Sequence, residues 1–217
     1  MTDYARARAN MVENQLRPSR IDNPRLLAAM GEIPREAFCP AQLEGAAYGD
    51  DDIDLGGGRH LIEPLALAKL AQAADPRPGD VALVIGCDTG YCAAVLSRMV
   101  ATLFLLVPDA PQARAVEELL AGLGCDNVVL QTGDPHAGLA AQAPFDVVLL
   151  AGSVERVPDH LIDQLGEGGR LVAVVNHGRV GKVTLYRKLG DVVGNTTPVD
   201  ASVPPLAGLR PEPAFSF

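Results

Sequence analysis

From residue 81 onward, short apolar runs alternate with longer amphipathic ones. Val81–Ile85 is an apolar run of strand length, closed by a glycine-rich turn and followed by a helical pattern over Tyr91–Met99. Thr102–Val107 repeats the strand signal ahead of a helix over Ala110–Leu123. Asn127–Gln131 is a third strand, with a turn and short helix after it, and Phe145–Leu150 is a fourth, followed by a helix over Pro158–Leu165. Gly168-Gly169 leads into a strand over Arg170–Asn176, and Gly181–Lys188 reads as its hairpin partner. Strands alternating with helices imply βαβ units, so the fold class is α/β with a mostly parallel, doubly wound sheet. The late hairpin adds an antiparallel edge pair.

The first 48 residues carry a different period. Arg6–Leu16 is rich in helix formers and ends before Pro18, and a second helix starts near Asn23 with Pro24 in its first turn and Leu26, Leu27 and Met30 on one face. Gly49–Gly58 holds four aspartates and four glycines and reads as a loop, after which Glu63–Gln72 resumes a helix. One domain is expected over 1–217: a helical extension and substrate loop to residue 78, a core over 79–190 and an irregular, proline-bearing tail over 191–217.

Composition narrows the partners. With 18 Lys+Arg against 27 Asp+Glu the net charge is −9, which opposes nucleic acid and anionic membrane surfaces, and at 4% aromatics without Trp no base-stacking platform is expected. No stretch approaches the roughly 18 apolar residues that span a bilayer, and Met1–Arg20 lacks a signal-peptide core, so a cytoplasmic location is expected. Cys39, Cys87, Cys92 and Cys125 lack metal-ligand spacing, as do the four histidines, and no metal is expected; the cysteines read as reduced thiols, mostly buried as small hydrophobes.

In a doubly wound sheet ligands bind at the carboxyl ends of the strands, beside the first one. That position reads Val84-Ile85-Gly86-Cys87-Asp88-Thr89-Gly90-Tyr91, which matches neither the phosphate-binding loop nor the dinucleotide fingerprint. On its own it is equally a structural turn. Its context is more specific. Met11–Leu16, Ile33–Pro40, Ala47–Asp50, Gly86-x-x-x-Gly90-Tyr91, Gly133-Asp134, Ala143–Asp146 with Val157-Pro158, and Gln164-Leu165-x-x-Gly168-Gly169-Arg170-Leu171 resemble, in order, the protein-L-isoaspartate O-methyltransferase family, most closely a bacterial branch. The resemblance implies a Rossmann-like class I methyltransferase fold with a seven-stranded sheet and an N-terminal helical extension. It also implies S-adenosylmethionine as cofactor and methyl transfer to the α-carboxyl of L-isoaspartyl residues in proteins or peptides, a repair reaction. Its cofactor positions fall on Gly86, Asp88, Gly90, Tyr91, Val107 and Asp134, and its substrate positions on Arg59, His60 and Ile62.

Four of those positions depart from the family pattern. Val84 stands where the family carries an acid, Asp88 where it carries a glycine, and Val107 where it carries the carboxylate that takes the ribose hydroxyls. Ile62 replaces the serine associated with the reacting carboxylate, so no catalytic residue is assigned. Three readings follow: an active methyltransferase with atypical cofactor contacts, a non-catalytic binding or regulatory protein, or a crevice that takes another small ligand.

Overall fold

The computed structural model describes residues 3–177, 180–206 and 208–209. Tyr4–Met11 forms α1, capped by the Asp3 carboxylate, and runs into a π-type turn over Val12–Leu16. Helix α2, Pro24–Glu32, starts where Asn23 Oδ1 accepts the Arg25 and Leu26 amides at 3.0 and 3.2 Å while proline fills the position that needs no donor. Its apolar face, Leu26, Leu27 and Met30, is buried.

The aspartate- and glycine-rich stretch is more ordered than its composition suggests. Strands β1 (Ile53–Gly56) and β2 (Arg59–Leu61) form an antiparallel hairpin with Ile53 opposite Leu61, both buried. These two apolar side chains anchor in the core a segment whose other positions are mostly solvated, a contact that local composition does not register. Helix α3 (Pro64–Ala74) follows, and its Gln72 grips the backbone before α2 through the Asp22 and Asn23 amides and the Arg20 carbonyl.

The core then proceeds as β3 (Val81–Ile85), α4 (Tyr91–Ser97), β4 (Thr102–Val107), α5 (Ala110–Gly122), β5 (Val128–Thr132), β6 (Phe145–Val154), α6 (Asp159–Asp163), β7 (Leu165–His177), β8 (Val180–Leu189) and β9 (Val192–Asp200). The sheet has seven strands in the order β5-β4-β3-β6-β7-β8-β9. Pairing is parallel from β5 to β7 and antiparallel for β7–β8 and β8–β9. The antiparallel edge therefore has one strand more than the hairpin pattern predicts: residues 192–200, read as irregular tail, pair with β8. Val192 and Val193 are exposed, because an edge strand needs hydrogen bonds on one side only and no buried face to hold it.

Alternate residues of β3 feed two cores. Ala82 and Val84 pack with α3, α4 and the N-terminal helices, while Leu83 and Ile85 pack with β6, β7 and α6. A buried ion pair between Arg170 of β7 and Asp80, just before β3, ties the lower ends of the strands together, and Asp80 also accepts the Arg77 amide at 2.8 Å. The strand order reverses at β3, between β4 and β6, which opens a crevice at the carboxyl ends.

Candidate functional site

The turn that leaves β3 is set by two glycines. Gly86 has φ +84° and Gly90, the residue before α4, has φ +88°. The turn closes through the Gly90 amide on the Cys87 carbonyl at 2.9 Å. A side chain at Gly90 would meet Val116 Cγ1 at 2.6 Å, and one at Gly86 would meet Leu206 Cδ1 at 1.8 Å. Leu206 belongs to the segment after β9, which returns along β6: Ser153 donates its amide to the Pro204 carbonyl at 2.9 Å and its carbonyl accepts the Leu206 amide at 2.8 Å. Leu206 thus lies flat on Gly86 and Gly152.

These elements enclose a cavity of about 290 Å³. Gly86 and Asp88 line it from the turn, Pro108 and Pro135 from beyond β4 and β5, Ala151 from β6, Pro204 to Leu206 from the returning segment, and Arg59, His60 and Ile62 from the hairpin side. Of the residues singled out in the sequence, Gly86, Asp88, Arg59, His60 and Ile62 therefore meet in one place. Gly90 shapes the turn without lining the cavity. Tyr91 and Val107 are both 0% exposed, within the core. Asp134 is exposed and accepts the His136 amide at 2.9 Å, a local turn bond; its neighbour Pro135 faces the cavity.

A polar bridge closes one side. Arg59 Nη1 donates to Gln112 Oε1 at 3.0 Å, and Gln112 Nε2 donates to the Asp88 carbonyl at 2.5 Å, linking hairpin, α5 and turn. Burial raises the Asp88 carboxyl above its ordinary range; Arg59 draws it back and Asp109 pushes it up. Asp109 caps α5 through the Gln112 amide at 2.9 Å and so serves the helix rather than the cavity. His60 approaches Asp54 at 4.0 Å.

Two contributors have no local sequence signal. Leu206 lies 120 residues from Gly86 in the chain, so only the fold brings them together. Arg35 is 0% exposed: its Nε donates to the Ala47 carbonyl at 2.6 Å, its Nη2 to the Ile62 carbonyl at 2.7 Å, and its guanidinium lies 4.7 Å above the Tyr91 ring. It clamps both ends of the segment that carries Arg59 and His60 against the first residue of α4. Arg35 lies within Ile33–Pro40, one of the segments that carry the family resemblance, but nothing local in that segment marks it as a clamp.

A family model for protein-L-isoaspartate(D-aspartate) O-methyltransferase matches residues 6–203. The chain belongs to this family. It is 43% identical over 187 residues to the protein-L-isoaspartate O-methyltransferase of Methylorubrum populi, covering 86% of each chain. It is 37% identical to that of Koribacter versatilis, covering 96% of this chain and 94% of the relative. A solved protein-L-isoaspartate O-methyltransferase superposes with a TM-score of 0.80 at 24% identity, over 94% of this chain and 67% of that one. A Plasmodium falciparum structure, in complex with S-adenosyl-L-homocysteine, superposes at 0.75 with 16% identity over 96% of this chain and all of its own. The Rossmann-like class I methyltransferase fold is therefore that of this chain.

The donor set of the methyltransferase crevice does not fit S-adenosylmethionine as a tightly held group. Val84 and Val107, at the ends of β3 and β4, are fully buried in the apolar core and offer no polar side-chain atom to a ligand. Carboxylates at these two positions, at about 1.5–3 kcal/mol for each hydrogen bond to a charged group, would together supply about 3–6 kcal/mol, or roughly two to four decades of affinity. Asp88 is the only carboxylate lining the cavity among the described residues, and it adds a side chain to the part of the turn where a ligand needs bare backbone. Among the described residues no His, Cys, Asp and Glu cluster could hold a metal ion, and no helix is long and apolar enough to cross a membrane.

Proposed function

We propose that this protein-L-isoaspartate O-methyltransferase family member acts as a non-methylating binding protein, recognising isoaspartyl-bearing segments of proteins without holding a methyl donor. The observation that carries this reading is the pair of buried valines, Val84 and Val107, at the family's two carboxylate positions. Support for the binding half comes from Arg59 and His60, which face the cavity and supply charge and hydrogen-bond donors to a carboxylate. Ile62 beside them supplies apolar surface and no hydroxyl.

The test is a calorimetric titration with S-adenosylmethionine, joined to radiolabelled methyl transfer to an isoaspartyl peptide. Expected is no saturation below about 1 mM, the affinity left after a loss of roughly three decades from a micromolar site. Saturation below about 50 μM overturns the reading, as does methyl-ester formation with turnover. A second reading, family-type methylation with a weakly held donor, is favoured by the glycine turn, whose Gly86 and Gly90 keep their left-handed conformations. Turnover that grows linearly with donor into the millimolar range would select it.

A further inference from the structure

The cavity carries opposite charges that the chain itself leaves uncompensated. Asp88, half-buried on the turn after β3, lines one side, and Arg59 and His60 of β2 line the other. Gln112 occupies the donors that could join them. Arg59 Nη1 donates to Gln112 Oε1 at 3.0 Å and its Nε to the Gly56 carbonyl at 3.4 Å, while Gln112 Nε2 donates to the Asp88 carbonyl and not to its carboxylate. His60 turns to Asp54, at 4.0 Å. Among the described residues no hydrogen bond or ion pair engages the Asp88 carboxylate. Burial keeps that carboxyl above its ordinary range; Arg59 draws it down and Asp109 pushes it up, so a cation in the cavity supplies what the chain lacks.

Size and continuity narrow the ligand. At about 290 Å³ the cavity lies at the lower limit of the roughly 300–1,000 Å³ of small-molecule sites, room for a small head group or one end of a chain. Its other side chains carry no charge, so an ionic head group has only Asp88 on one side and Arg59 and His60 on the other to meet. Across the Gln112 bridge lies an open groove of about 550 Å³ that shares Arg59 and Asp88 with the cavity and adds Phe38, Leu55, Val116 and Leu119. A chain whose end sits in the cavity thus continues past Arg59 and Asp88 onto apolar surface.

An isoaspartyl residue inside a polypeptide offers a free α-carboxylate, but its nitrogen is acylated and carries no charge. At the first position of a chain the same residue has its α-ammonium and α-carboxylate on one carbon, and the chain departs through the β-carbonyl. Resting on the isoaspartyl-binding role above, we propose that the crevice selects isoaspartyl residues at the N-terminus of a peptide. Arg59 and His60 take the α-carboxylate, Asp88 takes the α-ammonium, and the following residues lie in the groove. Asp88 is thereby the specificity-determining residue, and it stands on the turn where the family pattern has a side-chain-free glycine.

The test is calorimetric titration of the full chain with three amides: isoaspartyl-leucine amide, its N-acetyl form, and succinyl-leucine amide, which keeps the carboxylate and lacks the amino group. Expected is binding of the first about ten- to a hundredfold tighter than the other two, the value of one hydrogen bond between charged groups. The succinyl form separates loss of charge from the bulk of the acetyl group. In Asp88→Asn, checked for folding by thermal melting, the preference falls to within about threefold. Amides that bind within about threefold of one another in the parent chain overturn the proposal and leave isoaspartyl binding standing, as does a roughly tenfold preference that survives Asp88→Asn. No binding of any of the three up to about 10 mM removes the isoaspartyl-binding role itself, and this assignment with it. S-adenosylmethionine carries the same head group on its methionine end and enters as competitor. It leaves isoaspartyl-leucine amide bound at about 1 mM; displacement below about 50 μM gives the head-group site to the donor and overturns the proposal.

Discussion

Arg35→Met tests whether the buried guanidinium positions the hairpin that faces the crevice. The substitution removes donors from the Ala47 and Ile62 carbonyls, now bonded at 2.6 and 2.7 Å in a fully buried setting. Each carbonyl left unsatisfied costs about 1–3 kcal/mol, and the lost stacking on Tyr91 adds about 1–2 kcal/mol. Against this, methionine relieves a desolvated cation whose Nη1 has no partner, a return of several kcal/mol. The net expectation is a destabilisation of about 3 kcal/mol, which in a chain of this size lowers Tm by roughly 6–12 °C. Arg35→Lys, with a single ammonium that reaches one carbonyl, falls near half of that. Thermal melting by circular dichroism gives the magnitude, and amide hydrogen exchange locates it, with protection lost over residues 47–62 and retained in β3 and β4. A variant that melts within about 2 °C of the parent, under 1 kcal/mol, or one whose loss of protection is uniform, refutes the clamp.

Three further outcomes follow from the same geometry. Restoring acids at Val84 and Val107 with glycine at Asp88 raises S-adenosylmethionine affinity by at least about two decades, read by calorimetry; no gain in the triple variant refutes the attribution of weak donor binding to these positions. Asp80→Ala leaves Arg170 as an unpaired buried cation and costs about 3–5 kcal/mol, whereas Asp80→Leu with Arg170→Met recovers most of it; equal losses in chemical denaturation by both variants would contradict this. The Asp88 carboxyl holds its proton to higher pH in the folded chain than in the unfolded one. Its ionisation therefore lowers stability as pH rises from the unfolded value, about 3.9, through the raised folded value. Asp88→Asn flattens that decline and melts at or above the parent at pH 7, and a lower Tm there would reverse the sign of the argument.

How far local pattern carries is clearest in β4, expected and found at Thr102–Val107. A strand buried on both faces has no freedom in composition, so its apolar run is unmistakable. Helix α2 was equally legible, because Asn23 and Pro24 write its start chemically. The β1–β2 hairpin and β9 were not, since both are mostly exposed and are held by one partner each rather than by their own periodicity. In the crevice, Gly86, Asp88, Arg59, His60 and Ile62 were identifiable from the order of motifs, whereas the inward position of the hairpin depends on Arg35, and the wall on Leu206.

The sequence by itself determined the alternation of buried strands and amphipathic helices, the glycine-rich turn after β3, and the order of motifs that carries the family resemblance. These are properties of single residues and near neighbours: backbone freedom, hydrophobic period and side-chain charge. Only the tertiary structure decided that Val84 and Val107 are sealed in apolar packing, that Leu206 lies on Gly86, and that Arg35 ties residues 47 and 62 together. Each of those depends on segments brought into contact by burial of a shared core, and the free energy that joins them is non-directional and leaves no local mark on the chain.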